Sequence, residues 1–317
     1  MLTPHPENPR ALGRTGLIVT ALTVGTSALG NPDRVSDAEA GHTLALALDG
    51  PWTIDTGNNY DDSEARIGRA LPVAGGVTAG GRFPDRLLAT KVDPRNGSSD
   101  FSGARVRESV RESMDRLGVD HLELVSLHDP ERMSFEDAMA PDGPVHALLE
   151  LRDSGVVGHL GVAGGPVGLL QRFVDTGHFE AVVTHNRYTL VDRSAGPLLD
   201  QCAERGIAVF NAAPFGGGFL TSAEGSGNYC YRPATPARLA AREAMAELCT
   251  EHAVDLATVA LQFSLREPRI SSTIVGMSSR QQLQQSLERA AAPVPEELWQ
   301  RLDEHVPVPG QWLGPDA

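Results

Sequence analysis

Three short apolar runs in this 317-residue chain each end in an ionisable side chain: Thr53-Ile54-Asp55, Leu88-Ala89-Thr90-Lys91 and Ser126-Leu127-His128. Asp55 and Lys91 are 36 residues apart and Lys91 and His128 are 37 apart, close to one strand-plus-helix unit each. An acid, a base and an imidazole would then stand side by side on three neighbouring strands. Each follows an apolar strand directly, so each is expected to face a partly dry opening, where an isolated charge is costly and needs a partner. Asp55 and Lys91 are the natural pair. Five residues past Asp55, Tyr60 brings in a phenol. An ammonium beside it favours the phenolate and lowers its pKa from about 10 toward the range of a general acid or base. Taken singly, these residues read as strand-end polar groups and Tyr60 as a cover for the end of the fold; their recurrence at one spacing speaks for chemistry. Two other chemistries use the same residues. Lys91 could form a Schiff base, which wants a lysine without a tightly held carboxylate. His128 and Asp129 could ligate a metal, although adjacent strand residues point to opposite faces.

The elements that must position these groups are visible as a repeated alternation of apolar run, turn and amphipathic helix. Strands are expected at 18–24, 52–55, 87–91, 122–128, 159–163, 181–186, 207–212 and 270–275, with helices such as 38–48, 105–117, 198–205 and 237–252 between them. Ser36 and Ser102 stand where helix caps belong. Eight strands alternating with helices specify a parallel sheet covered by helices. Such a sheet either stays open and doubly wound or closes, and eight strands favour closure into a (β/α)8 TIM barrel. The expected fold is therefore α/β, a single barrel domain over 1–317 with a flexible N-terminal arm at 1–11. Residues 93–103 and 216–227 read as flexible, glycine-bearing loops.

Composition narrows the function. Lys plus Arg 27 against Asp plus Glu 41 gives a net charge of −14, which disfavours nucleic acid and anionic membranes as partners. The three cysteines show no C-x-x-C spacing, consistent with free thiols in a reducing compartment. The first ten residues carry three prolines and an acidic residue and do not read as a signal peptide. No uncharged apolar run approaches the roughly 18 to 20 residues of a membrane span. A soluble, cytoplasmic protein acting on a small molecule is expected, its oligomeric state open.

Asp55-Thr56-Gly57-Asn58-Asn59-Tyr60, followed by Ser63-Glu64 and Ile67-Gly68, resembles the D-T-A-x-x-Y-G-x-S-E signature of the aldo/keto reductase superfamily. Leu88-Ala89-Thr90-Lys91 is similar to its lysine strand, and Ser126-Leu127-His128-Asp129-Pro130 to its histidine strand in the branch acting on free sugars. Leu12-Gly13-Arg14-Thr15-Gly16-Leu17 resembles its L-G-x-T-G-L opening, and Arg187-Tyr188-Thr189-Leu190 the R-Y-T-L of the aldose 1-dehydrogenase branch. The resemblance implies that Tyr60 exchanges a proton with the substrate oxygen, Lys91 depresses its pKa, Asp55 holds Lys91, and His128 orients the carbonyl or carbinol. It implies direct hydride exchange with NAD or NADP and no metal, and no G-x-G-x-x-G follows a strand here.

The cofactor positions follow from the same resemblance. Gly25 follows the first strand, and Pro214, Phe215, Gly216 and Gly218 form a loop near the pyrophosphate, where glycines let backbone amides approach phosphate. Gly276, Ser278, Arg280 and Gln282 match the adenosine grip, with Gln285 and Ser286 in place of the usual Glu-Asn. The nicotinamide carboxamide meets Ala163-Gly164 in place of Ser-Asn, and His185 in place of a glutamine, with Asn186 adjacent. Gly276 stands where NADP-dependent members are often basic, leaving Arg280 as the sole guanidinium of the segment, so NAD is favoured. Asn58, Asn59 and Trp52 are candidate contacts for a hydroxylated substrate. A free aldose, or a related aldehyde or ketone, is the expected substrate, and a non-catalytic nucleotide-sensing barrel the alternative of another class.

Overall fold

In the computed structural model, which describes residues 5–72 and 86–314, the apolar runs pair in parallel and close on themselves. The barrel strands are β1 (Leu22–Gly25), β2 (Thr53–Asp55), β3 (Leu88–Val92), β4 (Leu122–His128), β5 (Val157–Gly164), β6 (Ala181–His185), β7 (Ala208–Ala212) and β8 (Ser272–Gly276). Each pairs with the next, and β8 returns to β1 with Val275 opposite Val24. This is the (β/α)8 barrel. Gly25 lies opposite Asp55, Lys91 opposite Ser126 and His128 opposite Ala163, so the registers bring the C-terminal strand ends to one rim.

Inside the barrel the side chains are small or flat. Ala89, Leu124, Ala163, Ala181, Val183 and Phe210 pack in one cluster, while Ile54, Val125, Val162 and Val209 point outward into the shell shared with the helices. That alternation along each strand is what a closed sheet buried on both faces requires. The helices Asp37–Asp49, Gly103–Leu117, Gly196–Glu204 and Pro236–Glu251 lie within two residues of their expected bounds. Ser36 and Ser102 cap as expected, accepting from the amides of Glu39 and Arg105. Among the described residues no helix is long and apolar enough to cross a membrane, the three cysteines are free, and no cluster of metal-ligating side chains occurs.

Two expectations need correction. The run 18–24 is not one strand: Ile18–Thr20 pairs antiparallel with Pro9–Ala11, and the chain turns at Ala21 before entering β1. The 1–11 arm is accordingly not free over its last part, while residues 1–4 lie outside the described residues. The hairpin closes the N-terminal end of the barrel. Leu12 and Val19 join the interior cluster, and the Arg10 guanidinium donates to the carbonyls of Ile270 (2.8 Å) and Leu265 (2.5 Å). Leu12 is 0% exposed and Ile18, on the same hairpin, is 58% exposed. Leu12→Ala is therefore expected to cost about 2–5 kcal/mol in denaturant unfolding, through lost burial and the cavity left behind. Ile18→Ala should leave the unfolding midpoint nearly unchanged.

Candidate active site

Lys91, near the end of β3, is 2% exposed, yet its ammonium is surrounded by acceptors, the Tyr60 hydroxyl among them. It donates to both carboxylate oxygens of Asp55 (2.9 and 2.7 Å) and to the carbonyl of Thr56 (2.6 Å). Burial alone would lower its pKa, but Asp55 and Tyr60 outweigh that and hold it above the ordinary lysine value. A Schiff base needs a free amine, so this clamp speaks against the lyase alternative.

Tyr60 hangs over the same ammonium, which lies 4.6 Å from its ring centre. The loop that carries it is fixed at both ends. Thr26 donates from its amide and its hydroxyl to the carbonyl of Asp55, and the hydroxyls of Thr56 and Ser63 lie 2.9 Å apart. Gly30 packs so closely that a Cβ there would fall 1.9 Å from the carbonyl oxygen of Tyr60, so only glycine fits beside this turn. Glu64, buried behind the loop, accepts from the Thr90 hydroxyl (2.6 Å) and from Arg116, and ties the loop to β3. Burial pushes the Tyr60 phenol up to about 12, against the pull of Lys91, with Asp55 adding to the rise. The expected lowering of this group is therefore corrected: the desolvation of the site exceeds what the ammonium gives back. The phenol is a proton donor at neutral pH and a base only when alkali or a bound ligand removes its proton.

His128, at the end of β4, meets Tyr60 edge to face, ring centres 5.6 Å apart. Its Nδ1 lies 2.7 Å from the Asp93 carboxylate, a partner not identified from the sequence, where 93–103 reads as flexible. The four expected side chains, Asp55, Tyr60, Lys91 and His128, thus converge on one cavity of about 470 Å³ at the C-terminal mouth of the barrel. Gly25, Ala163, Gly164, Ala212, Ala213 and Gly276 supply a part of its wall with almost no side chains. Asn59, Asp129, Arg132, His185 and Tyr231 supply polar groups.

Not every expected residue is there. Asn58 is turned away: its amide donates to the Ser109 carbonyl and to Glu112 and accepts from Arg105, pinning the loop to the helix Gly103–Leu117. Trp52, below Asp55 on the chain, packs in a core cluster with Leu22, Leu261 and Leu265. Neither contacts the cavity. Asn59, the neighbour of Asn58, does. Asp129 also departs from the reading of it as an outward strand residue. It lies beyond β4 with φ +44, and that turn brings its carboxylate to 3.6 Å from His128 Nε2.

The loop 213–218 leaves β7 with positive φ at Ala213 and at all three glycines 216–218. Pro214 and Gly216 are buried, Gly216 against the ring of Tyr229, and Phe215 packs on two core clusters, so of this stretch only Ala213 reaches the cavity. Beyond β8, the amide and hydroxyl of Ser278 both donate to the Gln282 side chain (2.8 and 2.9 Å). Arg280 lies in a separate surface cleft with Asp37, Arg66 and Arg69. At β5, a Cβ on Gly164 would fall 2.8 Å from Glu131, so the turn after β4 occupies the space a side chain there would need. Asn186 (φ +59) donates to Nδ1 of His185 at 3.0 Å. Burial lowers the His185 pKa, so the ring is neutral and its Nε2 carries the proton. The buried Oδ1 of Asn186 has no hydrogen-bond partner.

A hairpin beyond the sequence reading walls the mouth. The hairpin Asn228–Tyr229/Arg232–Pro233 turns through Cys230 and Tyr231, both at positive φ, and presents Tyr231 to the cavity beside His185 (ring centres 6.3 Å). Such a two-residue turn normally takes Asn or Gly, so Cys230-Tyr231 is a strained choice. The Arg187-Tyr188-Thr189-Leu190 motif holds the chain's last described segment. Arg187 donates to the carbonyl of Gly314 (2.6 Å), and Asp192 accepts from the amide of Leu313 (2.7 Å).

A parallel eight-stranded barrel whose C-terminal mouth joins a buried lysine–carboxylate pair to a tyrosine and a histidine defines a class of enzyme that moves protons at a substrate oxygen. The comparisons agree with this class. The aldo/keto reductase family model matches residues 21–307, and the chain belongs to that family of oxidoreductases. It is 32% identical to a D-threo-aldose 1-dehydrogenase of a Pseudomonas species, over 94% of this chain and 98% of the relative. It is 31% identical to an L-galactose dehydrogenase of Arabidopsis thaliana, over 88% and 86%. The fold superposes on an aldo-keto reductase of Bacillus halodurans, solved in its holo form, with a TM-score of 0.74 at 23% identity, over 95% of this chain and 97% of that one.

Among the groups that act on Tyr60, Lys91 is the one that lowers its pKa. Lys91→Met is therefore expected to move the alkaline rise of kcat/KM to higher pH and to cut the rate at neutral pH by about 10²–10⁴-fold, the usual contribution of a positioned acid–base group. Circular dichroism checks that the variant folds. Tyr60→Phe should abolish the rise itself.

Proposed function

We propose that this protein is an NAD(P)-dependent dehydrogenase of a free aldose or a related polyhydroxylated aldehyde, with NAD preferred. The observation that carries the reading is the meeting of Tyr60, Lys91, Asp55 and His128 beside a wall stripped of side chains. Glycines and alanines at 25, 163, 164, 212, 213 and 276 leave a slot suited to a flat ring, and the Nε2–H of His185 is a donor at the same cavity for a carboxamide oxygen. A bound nicotinamide would supply the hydride acceptor or donor. The residues of the chain manage the proton: the Tyr60 phenol donates it to a carbonyl oxygen, and the phenolate takes it from a hydroxyl. Lys91 lowers the cost of that phenolate, Asp55 keeps Lys91 charged, and His128 holds the reacting oxygen.

Polar groups at the mouth support a polyol. Asn59, Asp129, Arg132 and Tyr231 can each bond a hydroxyl, and few large apolar side chains face them. The names of the relatives point the same way, two of them being dehydrogenases of sugars. For the cofactor, Gly276 is exposed and has no side chain, and Ser278 is engaged with Gln282. Arg280 lines a separate cleft with Asp37, Arg66 and Arg69 and does not line the cavity of the quartet, which favours a cofactor without a 2′-phosphate. The intact quartet favours catalysis over a nucleotide-sensing role.

The test is a screen of aldoses, pyridoxal and simple aldehydes with each cofactor, followed by the near-ultraviolet absorbance of reduced nicotinamide. The highest kcat/KM is expected for an aldose with NAD. A preference for NADP would overturn the cofactor assignment, and turnover of simple aldehydes alone would overturn the sugar.

A further inference from the structure

Asp93 touches His128 in the wall of the mouth, at a contact outside the Tyr60–Lys91–Asp55–His128 quartet. It stands two residues past Lys91, and its side chain is 0% exposed. One carboxylate oxygen lies 2.7 Å from His128 Nδ1, and the other accepts the amide of Asn59 at 3.2 Å. The helix Gly103–Leu117 holds its backbone: the Asp93 amide donates to the Ser109 hydroxyl, and Arg105 donates to the Asp93 carbonyl at 3.0 Å. The carboxylate is thus fixed from three sides. A carboxylate can only accept, so Nδ1 of His128 carries the proton. Which nitrogen of an imidazole is protonated is set by the bond the other one makes. Here the other nitrogen, Nε2, faces the cavity, 3.6 Å from Asp129.

We propose that Asp93 is a positioning residue that selects the Nδ1–H tautomer of His128. Nε2 is then a hydrogen-bond acceptor for a substrate hydroxyl when the ring is neutral, and a donor to a carbonyl only as the imidazolium. The kinetic consequence rests on the proposed function above; the tautomer does not. In oxidation the reacting hydroxyl gives its proton to Tyr60, so the neutral ring accepts from a second hydroxyl of the substrate; in reduction only the imidazolium donates to the carbonyl oxygen. The ionisable groups facing the ring are Asp93 after β3, Asp129, Glu131 and Arg132 after β4, Tyr60 after β2 and His185 on β6. Of these, Asp93 is the one bonded to Nδ1.

Isotope-edited NMR of the imidazole nitrogens tests the tautomer directly, with the His128→Asn spectrum identifying the His128 signals among the ten histidines. The neutral ring is expected to carry its proton on Nδ1, and Asp93→Asn to shift the proton wholly or partly to Nε2. A wild-type ring protonated on Nε2 overturns the proposal, and so does an Asp93→Asn spectrum identical to it. These spectra need no turnover, so they stand or fall apart from the assignment of substrate and cofactor, and the wild-type spectrum decides even if the variant does not fold. In kinetics, Asp93→Asn should lower kcat for oxidation by roughly tenfold, as loss of a buried partner of a site histidine does, with cofactor dissociation unchanged. In a His128→Asn background it should have no further effect. Losses that add would show that Asp93 acts independently of His128.

Discussion

An ammonium with almost no contact with water is the constraint around which the mouth of this barrel is arranged. Lys91 sits where an isolated charge would cost several kcal/mol, and it stays charged because Asp55, the Thr56 carbonyl and Tyr60 surround it with acceptors. That requirement fixes more than the pair. Asp55 must end β2 at a set height relative to β3, so the register between the strands is part of the site. Thr56 must turn its carbonyl inward, which commits the start of the loop that carries Tyr60. Thr26, Ser63 and Glu64 then lock that loop against β1 and β3. The phenol lies over the ammonium because the backbone has no other course.

The same dryness that makes the ion pair necessary sets the character of the phenol. Water would stabilise the phenolate; its exclusion raises the pKa to about 12 in spite of Lys91. Lys91 therefore offsets a penalty that the fold itself creates, and the neutral phenol is the resting form. His128 is governed by a separate carboxylate, Asp93, held by a separate helix. Two buried acids thus serve two different bases, and the pairs are joined by the Asn59 amide on Asp93 and by the packing of Tyr60 on His128.

The barrel was legible because its strands are apolar runs of regular spacing and its helices carry caps where the pattern begins. Asp55, Lys91 and His128 were legible for a related reason: each interrupts an apolar run at its end. What the sequence hid depends on direction. Asn58 and Asn59 are neighbours, and one faces a helix while the other faces the cavity, because they are the two central residues of a turn closed by the Tyr60 amide on the Gly57 carbonyl. Trp52 lies close to Asp55 along the chain but one strand length deeper in the core. Asp93 looked like the start of a loose segment, since nothing local signals that Ser109 and Arg105, more than a turn away along the chain, reach back to fix it. Tyr231 arrives on a short hairpin whose turn residues, Cys and Tyr, carry none of the usual signs of a turn. The relative order of motifs along the chain was readable; the side each residue presents was a tertiary matter.

The final described stretch, Leu313-Gly314, is clasped by Asp192 and Arg187. Both belong to the loop that begins with His185 and Asn186 on the rim. The tail is therefore masonry and not trailing string: its amide and carbonyl complete the shell behind two residues that face or border the cavity. Loosening that end, for example by a fusion partner pulling on it, would disturb the rim from behind without changing a single residue inside it.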